Sequence, residues 1–374
     1  MHIKQEFPDI SRHKAESDSN PEMPDKHHFS PPDPGTVRVA PIRALPAILR
    51  ELGVAPGPLL RRCGIADEAL FEDPEGVISF ERAGKLLQLC ARETGCPHFG
   101  LLVGQQAHGD CLGAIGLLLA SAPDVMAALK EVVANFDVHD RGATAFIEIE
   151  GAEALLGYEI YARGVSGAHQ ISDCAIAIAW NIMRTLCGPA WLPSEVRLRH
   201  EQPADIEPYR GFFQAPLKFN ARHSSVVFPA EWLAKPIQMA DSEFRLHLQQ
   251  RIQEMRSHSN LGFREQAHRA LAMLIGQQGC TLEQLSAHFA LHPRTLNRRL
   301  REAGTSFREL YGETCQEMAR QLLRDTRRNL PSIATLLGYS DETAFNRAFS
   351  RREGVSPSKW RRLVREASPL KSPR

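Results

Sequence analysis

The apolar positions in the first two thirds of the chain follow two different periods. Helical spacing of three and four residues recurs over residues 45–52, 83–90 and 165–187. Strand-like alternation of apolar and polar residues occupies shorter runs, at 143–150, 155–161, 196–200 and 225–228. Because both periods occur within one continuous stretch, we expect an α+β domain over residues 37–240.

The two ends of the chain differ from this domain in composition. Residues 1–36 are rich in Pro, Ser and charged residues and contain few large apolar side chains. Such a segment buries too little surface to offset the entropy lost on ordering, so we expect a disordered tail there. Residues 367–374 are expected to form a second, short flexible tail.

A single amphipathic stripe follows the α+β domain. Within residues 241–262 the spacing predicts one helix and a short linker, with an apolar stripe formed by Phe244, Leu248, Ile252 and Met255. This stripe could pack against its own domain or form a helical seam between two copies of the chain. The sequence leaves both alternatives open.

After the linker the pattern is wholly helical. The spacing predicts an all-α domain over residues 263–366 with two helix-turn-helix units, at 281–304 and 329–354. One helix over residues 306–325 joins the two units. At 1.5 Å per residue this helix is about 30 Å long, close to the roughly 34 Å helical repeat of DNA. Such a spacer would place both units in consecutive major-groove turns on one face of the duplex.

Polar residues at the expected helix starts support these boundaries. Thr281 and Gln284 have the spacing of a capping box, and Ser340 is the expected N-cap of the last helix of the second unit. His292 precedes the second helix of the first unit, where it is a poorer cap than Ser would be. We therefore expect this helix to begin less rigidly than its counterpart.

The second helix of each unit carries a polar face. An α-helix fits the major groove of DNA, where Arg suits guanine, Asn suits adenine and Thr offers both a hydroxyl and a methyl group. The candidate base-reading residues are Arg294, Thr295, Asn297, Arg298, Glu342, Thr343, Asn346 and Arg347. The residues better suited to phosphate contact are Arg301, Arg351, Arg352, Lys359 and Arg361. The alternative, a solvated charged surface, is disfavoured by the presence of two such units at this spacing.

The distribution of charge changes the meaning of the total. The whole chain has 45 Lys and Arg against 44 Asp and Glu, a net charge of +1, which taken alone argues against a nucleic-acid binder. Residues 265–374, however, hold 19 basic and 11 acidic residues, a net charge of +8, whereas residues 1–264 hold 26 and 33, a net charge of −7. The near-zero total is therefore a cancellation between an acidic module and a basic module.

The acidic module contains candidate ligand contacts. On the predicted helix over residues 165–187, His169 and Asp173 are four residues apart, on the same face as Trp180. These polar residues could recognise a small-molecule effector or form a satisfied pair in the core, and the second interpretation is favoured because buried polar groups are usually paired. Further candidate effector-binding residues are Phe136, His139, Tyr158 and Tyr161.

Sequence motifs for metal, cofactor or membrane binding are not found. The eight Cys residues form no C-x-x-C pair, which favours buried, reduced thiols in a cytoplasmic protein. The Gly-rich stretch 100–116 lacks the Lys-Ser/Thr of a phosphate-binding loop, so its glycines are expected to serve turns and close helix packing. No apolar run reaches the roughly 18 residues that span a bilayer, and the N-terminus lacks a signal-peptide pattern. We expect no metal, no cofactor and no membrane partner.

Residues 263–362 resemble the DNA-binding domain of the AraC/XylS family of bacterial transcription regulators. The matching stretches are RTLNRRLREAGTSFREL (294–310), ARQLL (319–323) and IATLLGYSDETAFNRAFSRREGVSPSKWR (333–361). Ser286, Ala290 and His292 stand where the family commonly has Ala, Gly and Ser. Residues 41–236 are similar to the family's arabinose-binding-like regulatory domain, through the stretches 45–54, 97–130 and 209–237.

The resemblance implies a sequence-specific transcription regulator that binds promoter DNA. It favours activation over repression, a homodimer, RNA polymerase as a partner, and a small-molecule effector bound to the N-terminal domain. Two alternatives stay open: a ligand-independent regulator whose N-terminal domain only dimerises or binds another protein, and an enzyme with a DNA-targeting tail. No nucleophile elbow, zinc-hydrolase motif or deaminase motif supports the enzyme alternative.

Overall fold

The computed structural model describes eight stretches of the chain. They are residues 35–73, 76–162, 164–237, 244–250, 252, 262–275, 280–289 and 291–367. The predicted tails lie outside the described residues except at Gly35, Thr36 and Ala367, and Met255, Ala290 and most of the predicted linker also lie outside them. Strand β1 begins at Thr36, so ordered structure starts within the stretch that composition assigned to the tail.

The N-terminal domain mixes helices and strands, as its sequence pattern predicts. Its helices are α1 (Leu45–Glu51), α2 (Pro56–Arg62), α3 (Ala69–Glu72), α4 (Phe80–Glu93), α5 (Phe99–Gln105), α6 (Ala114–Ser121), α7 (Val125–Asn135), α8 (Ala168–Cys187), α9 (Glu207–Phe213) and α10, of which residues 244–250 are described. Its strands are β1 (Thr36–Arg38), β2 (Val77–Ser79), β3 (Ala143–Glu150), β4 (Glu153–Ile160), β5 (Glu195–Arg197), β6 (Leu217–Lys218) and β7 (Ser224–Pro229).

The main sheet has the strand order β3-β4-β7-β5-β6. Strands β5 and β6 pair in parallel, and the other neighbours pair antiparallel. The hairpin β3-β4 runs from the pair Ala143 and Ile160 to the pair Glu150 and Glu153, so its two strands match in length. Strands β1 and β2 form a separate antiparallel pair. The short strands β1, β2 and β6 escaped the sequence pattern because two or three residues do not establish an alternation.

Helix α8 crosses the domain and is approached closely by its neighbours. A Cβ atom at Gly100 would collide with the backbone carbonyl of Gln170, and one at Gly104 would collide with that of Cys174. Glycine at these positions lets helix α5 lie directly against helix α8. The Gly-rich stretch therefore serves helix packing, which is the role that the sequence favoured over phosphate binding.

Helix α10 packs on its own domain in the part that is described. Leu248 and Ile252 are 8% and 1% exposed and belong to the N-terminal core, while Arg245 and Gln249 hydrogen-bond Glu131 on helix α7. This contact favours the first of the two alternatives for the amphipathic stripe. Phe244 and Leu246 of the same helix remain exposed.

The C-terminal domain is all-α. Its helices are α11 (Phe263–Ile275), α12 (Leu282–His288), α13 (Pro293–Glu302), α14 (Phe307–Asp325), α15 (Leu330–Leu336), α16 (Glu342–Glu353) and α17 (Pro357–Ala367). Helices α12 and α13 form the first helix-turn-helix unit, helices α15 and α16 form the second, and helix α14 joins them. A hydrophobic core separate from that of the N-terminal domain unites the two units with helices α11 and α14.

The N-caps agree with the sequence except at one helix. Thr281 and Gln284 form the predicted capping box on helix α12, and His292 caps helix α13 by accepting a 3.3 Å hydrogen bond from the amide of Arg294. Helix α16 is capped by Asp341, whose carboxylate accepts the amide of Ala344 at 2.7 Å, and not by Ser340. Ser340 was the wrong choice because the helix begins one residue later than expected.

Candidate nucleic-acid interface and sensory cavity

Helix α13 presents a basic face and buries an aliphatic one. Leu296 and Leu300 are fully buried in the C-terminal core. Arg294 and Arg298 are exposed on the other side, and the side chain of Arg298 lies 3.7 Å from Glu302 one turn away. The remaining predicted base-reading residues of this helix, Thr295 and Asn297, are half-buried.

Helix α16 repeats this arrangement with aromatic residues on the buried side. Phe345 and Phe349 are each 1% exposed and pack in the core. Thr343 and Arg347 are exposed on the other side. The half-buried residues are Glu342 and Asn346, and the Asn346 amide nitrogen lies 3.4 Å from a carboxylate oxygen of Glu342.

Most of the predicted phosphate-binding residues are exposed. The exposed ones are Arg301, Arg351, Arg352 and Lys359. Arg361 differs, because it is half-buried and donates a 2.6 Å hydrogen bond to the backbone carbonyl of Arg328. The neighbouring Arg365 donates to the carbonyl of Thr326 at 2.8 Å. This bond joins helix α17 to the loop after helix α14, and a phosphate contact by Arg361 stays a prediction.

Helix α11 is held against the N-terminal domain by charged hydrogen bonds. Arg141, which precedes strand β3, binds Glu265 through two bonds of 3.1 and 2.8 Å, and both side chains are largely buried. Arg269 reaches the carbonyl of Val133 at 3.1 Å, the hydroxyl of Thr144 at 3.3 Å and the carboxylate of Asp137 at 3.4 Å. Burial gives such paired charges more weight than exposed ion pairs have, because water screens them less.

Helix α14 makes a second set of contacts with the N-terminal domain. Gln321 donates to the carbonyl of Ile160 at 3.3 Å, and Glu317 accepts the amide of Gly164 at 3.2 Å. Arg324 donates to the carbonyl of Val165. The long helix predicted as a spacer between the two units is therefore also the surface on which the sensory domain rests.

A cavity of about 100 Å³ lies inside the N-terminal domain. It is bounded by helices α4, α7 and α8, by strands β1, β3 and β4, and by the loop before strand β3. Most of its wall is aliphatic, with Leu129, Ile171, Ile178 and Ile182 among the lining side chains. Of the predicted effector-binding residues, Phe136, His139 and Tyr158 line this cavity.

The polar groups of the cavity are gathered at one corner. One oxygen of Asp140 accepts the amides of Gly142 and Ala143 at 2.9 and 2.8 Å, and the other accepts the hydroxyl of Tyr158 at 3.0 Å. Burial raises the pKa of Asp140 to about 6. Burial and the nearby Arg38 guanidinium lower the pKa of His139 to about 3, so its imidazole is neutral at physiological pH.

The other predicted effector-binding residues lie elsewhere. The Tyr161 ring packs against His268 of helix α11, with 5.5 Å between ring centroids. The Trp180 ring packs against Phe212 at 4.6 Å and against Trp191 at 6.4 Å. Tyr161 therefore belongs to the contact between the domains and Trp180 to the N-terminal core.

His169 and Asp173 lie beside a smaller polar cavity between the two domains. Asp173 is fully buried and binds His200 at 2.8 Å and the hydroxyl of Tyr209 at 2.7 Å, so its partner is His200 and not His169. Although burial alone lowers the pKa of His200, the Asp173 carboxylate raises it above the usual value. His169 lines the same cavity as Asp325 of helix α14, whose pKa burial raises.

Two further observations bear on the class of protein. Among the described residues, no helix is long and apolar enough to cross a membrane. The eight cysteines, which all lie in described stretches, are buried and form no disulfide. Burial raises the pKa of Cys111 and Cys174, which keeps these thiols protonated.

Each of the two domains matches the model of a known protein family. The profile described as "Arabinose-binding domain of AraC transcription regulator, N-term" matches residues 53–237, and that described as "Helix-turn-helix domain" matches residues 285–363. The chain belongs to the AraC family of transcription regulators. It is a DNA-binding transcription regulator with an arabinose-binding-like N-terminal domain.

The relatives of this AraC-type regulator match most of its length. The chain is 26% identical to the "HTH-type transcriptional regulator VirS" of Mycobacterium tuberculosis, over 84% of this chain and 93% of the relative. It is 24% identical to the "Ornithine utilization regulator" of Pseudomonas aeruginosa, over 87% and 96%. The crystal structure of the regulator CdpR from Pseudomonas aeruginosa is 22% identical, covers 84% of this chain and 98% of its own, and superposes with a TM-score of 0.40.

Several residues that shape the sites of this AraC-type regulator carried no signal in its sequence. Arg141, Glu265 and Arg269 lie in different predicted domains, so their contacts depend on how the domains pack. Asp140 stood next to the candidate His139, but neither spacing nor a motif marked it.

Proposed function

We propose that a small molecule bound in the cavity of the N-terminal domain controls how the two helix-turn-helix units engage promoter DNA. In this proposal the regulator works in the cytoplasm as a homodimer and activates transcription together with RNA polymerase. The family resemblance favours activation, and the exposed side chains of helix α10 offer one surface for a second copy.

The carrying observation is that one short segment, residues 133–144, faces both the cavity and helix α11. Its residues Phe136, His139 and Asp140 line the cavity. Its residues Val133, Asp137, Arg141 and Thr144 contact Glu265 and Arg269 of helix α11. A molecule that shifts the first group must therefore disturb the second, because both belong to one stretch of backbone.

This arrangement supplies the differential contact that ligand control requires. A ligand shifts an equilibrium only if it binds two states with different affinity. A state with helix α11 docked and a state with it released would differ in the position of segment 133–144, and so in the shape of the cavity. The alternative of a ligand-independent N-terminal domain gives the cavity no role.

For the DNA side, we propose that polar residues of helices α13 and α16 read base edges in consecutive turns of the major groove. The proposed residues are Arg294, Thr295, Asn297 and Arg298 on helix α13, and Glu342, Thr343, Asn346 and Arg347 on helix α16. Arg301, Arg351, Arg352 and Lys359 are proposed to hold phosphates.

The effector proposal is tested by releasing helix α11. Arg269→Ala removes three contacts to segment 133–144, and we expect it to change affinity for a DNA site selected from a random pool by about fivefold or more, as coupling energies of 1–3 kcal/mol imply. Arg264→Ala is the matched control, because Arg264 lies on the same helix and pairs at 2.8 Å with Glu313 inside the C-terminal domain. Fluorescence anisotropy with labelled DNA measures both.

The two variants separate domain coupling from loss of charge. If Arg264→Ala changes affinity as much as Arg269→Ala, the effect is the loss of one positive charge near DNA. If neither variant differs from wild type, the docked contact does not control DNA binding, and the proposal is wrong.

A further inference from the structure

We infer that the cavity takes a small, uncharged, mainly apolar molecule that carries a single hydrogen-bonding oxygen, such as a phenol or a short alcohol, with that oxygen placed beside His139. The inference rests on the proposed function only in treating this cavity as the effector site. It commits to a ligand class that the description "arabinose-binding" does not indicate.

The walls of the cavity decide against a sugar. Helix α8 contributes Ile171, Ile178 and Ile182, and helix α7 contributes Leu129 and Val132. A polyol buried among these side chains would leave several hydroxyl groups without a partner, and each such group costs on the order of 1–3 kcal/mol. An apolar ring or chain has no such cost and gains from being removed from water.

One polar atom at the corner lacks a partner within the described part of the chain. Nδ1 of His139 is buried and makes no hydrogen bond, and the residue is 3% exposed. The oxygens of Asp140 are already taken by two amides and the Tyr158 hydroxyl. Buried polar atoms are usually satisfied, so an unsatisfied one facing a cavity points to a partner that arrives with the ligand.

The charges at the corner favour an uncharged ligand. The guanidinium of Arg38 and the carboxylate of Asp140 both line the cavity, and the neutral His139 lies beside them. An anionic ligand would approach the Asp140 carboxylate, and a cationic one would approach the Arg38 guanidinium. Since either charge would also lose its hydration, the corner best accepts a neutral oxygen that both donates and accepts.

The volume limits the size of the ligand. The cavity measures about 100 Å³. An engineered apolar cavity of roughly 150 Å³ in another protein binds benzene. Because this cavity is smaller, the expected ligand is at most a single six-membered ring with one hydroxyl group, or a chain of about four carbons.

The test uses four compounds on the full chain. They are phenol, benzene, benzoate and L-arabinose, and binding is measured by calorimetry and by the shift in melting temperature. We expect phenol to bind about tenfold more tightly than benzene, and neither benzoate nor L-arabinose to bind.

Three variants locate the site. His139→Phe is expected to abolish the preference for phenol over benzene. His98→Phe is the matched control, because His98 also has a buried, unpaired Nδ1 but lies beside the Tyr209 ring and does not line the cavity. Ala179→Leu places a larger side chain in the cavity wall and is expected to abolish binding, with melting of the unliganded variant showing that it folds.

The outcomes separate the ligand class from effector control. Binding of benzoate or L-arabinose in preference to phenol overturns the class, as does an unchanged preference in His139→Phe or no binding of any compound. If a compound of the wrong class binds and changes affinity for DNA, effector control stands while this inference fails. If phenol binds as expected and affinity for DNA does not change, the inference stands and effector control fails.

Discussion

The two helix-turn-helix units share the order of a short helix followed by a longer one, but they differ in charge, in buried side chains and in N-caps. Helix α13 carries four Arg and one Glu and buries leucines, whereas helix α16 carries three Arg and two Glu and buries phenylalanines. The caps differ as well, with a His292 imidazole on the first helix and an Asp341 carboxylate on the second. The recognition helix of the first unit therefore has the larger positive charge, whereas that of the second unit has the larger buried side chains and the stronger N-cap.

The comparison extends to what each unit rests on. Helix α11, which docks on the sensory domain, contacts helices α12 and α13 of the first unit. Helix α16 is instead covered by helix α17, with the Phe349 ring 6.0 Å from Trp360 and 5.8 Å from Phe345. Helix α14, which also contacts the N-terminal domain, reaches helix α16 through the bond from Arg320 to Glu353 at 2.9 Å, so each unit is joined to that domain by a different helix.

The largest expected effect comes from removing the aromatic packing of the second unit. Phe349→Ala deletes a side chain that is 1% exposed, and a large-to-small change of this kind costs about 3–5 kcal/mol. Leu296→Ala, the matched change in the first unit, is expected to cost about 2–4 kcal/mol. Urea unfolding measures the free energies, and amide hydrogen exchange shows which unit opens. Equal loss of protection in both units after either change would show that they unfold together.

The helical parts of this fold could be predicted because each amphipathic helix shows its buried face in its own spacing. Leu296 and Leu300 are one turn apart, and so are Phe345 and Phe349, so each pair indicates the same face. The two strands of the hairpin β3-β4 were predicted for a similar reason, since apolar and polar residues alternate over residues 147–150 at the end of strand β3.

The lining of the cavity could be predicted only in part. Phe136, His139 and Tyr158, which line it, were candidates because aromatic side chains and a few polar groups are typical of ligand pockets. The contact between Arg141 and Glu265 joins residues 124 positions apart, and no local spacing records it. For the same reason the sequence paired Asp173 with His169 on its own helix. The observed partner, His200, lies in the segment after strand β5.

The second expected effect is on DNA binding, and it distinguishes helix α13 from helix α16. Arg294→Ala removes an exposed guanidinium, and we expect it to weaken binding to the selected site by about 1–3 kcal/mol and to relax base preference at one position. Asn346→Ala is expected to cost less, because the Asn346 amide already lies 3.4 Å from Glu342. Anisotropy titrations on the selected site and on random DNA measure both.

Arg301→Ala is the control for this comparison. As a phosphate contact it should weaken binding to selected and random DNA alike and lower the slope of log affinity against log salt by about one. Equal loss on both kinds of DNA for Arg294→Ala would assign Arg294 to phosphate and remove it from the base-reading residues.

The smallest expected effect concerns the two caps. The His292 cap accepts a 3.3 Å bond from the amide of Arg294, and Ser is a better cap, so His292→Ser should stabilise the first unit by about 0.5–1 kcal/mol.

The Asp341 cap is already strong, and the amide of Ala344 and the hydroxyl of Ser340 hold the pKa of its carboxyl below the usual value. Because this pKa is lowered on folding, the charge stabilises the second unit above about pH 4, and the benefit is lost as pH falls through the folded pKa. Urea unfolding of the wild type and Asp341→Asn at pH 7 and pH 3 measures this effect. We expect the wild type to have the larger free energy of unfolding only at pH 7. An equal difference between the two proteins at both pH values would mean that the carboxylate charge does not contribute.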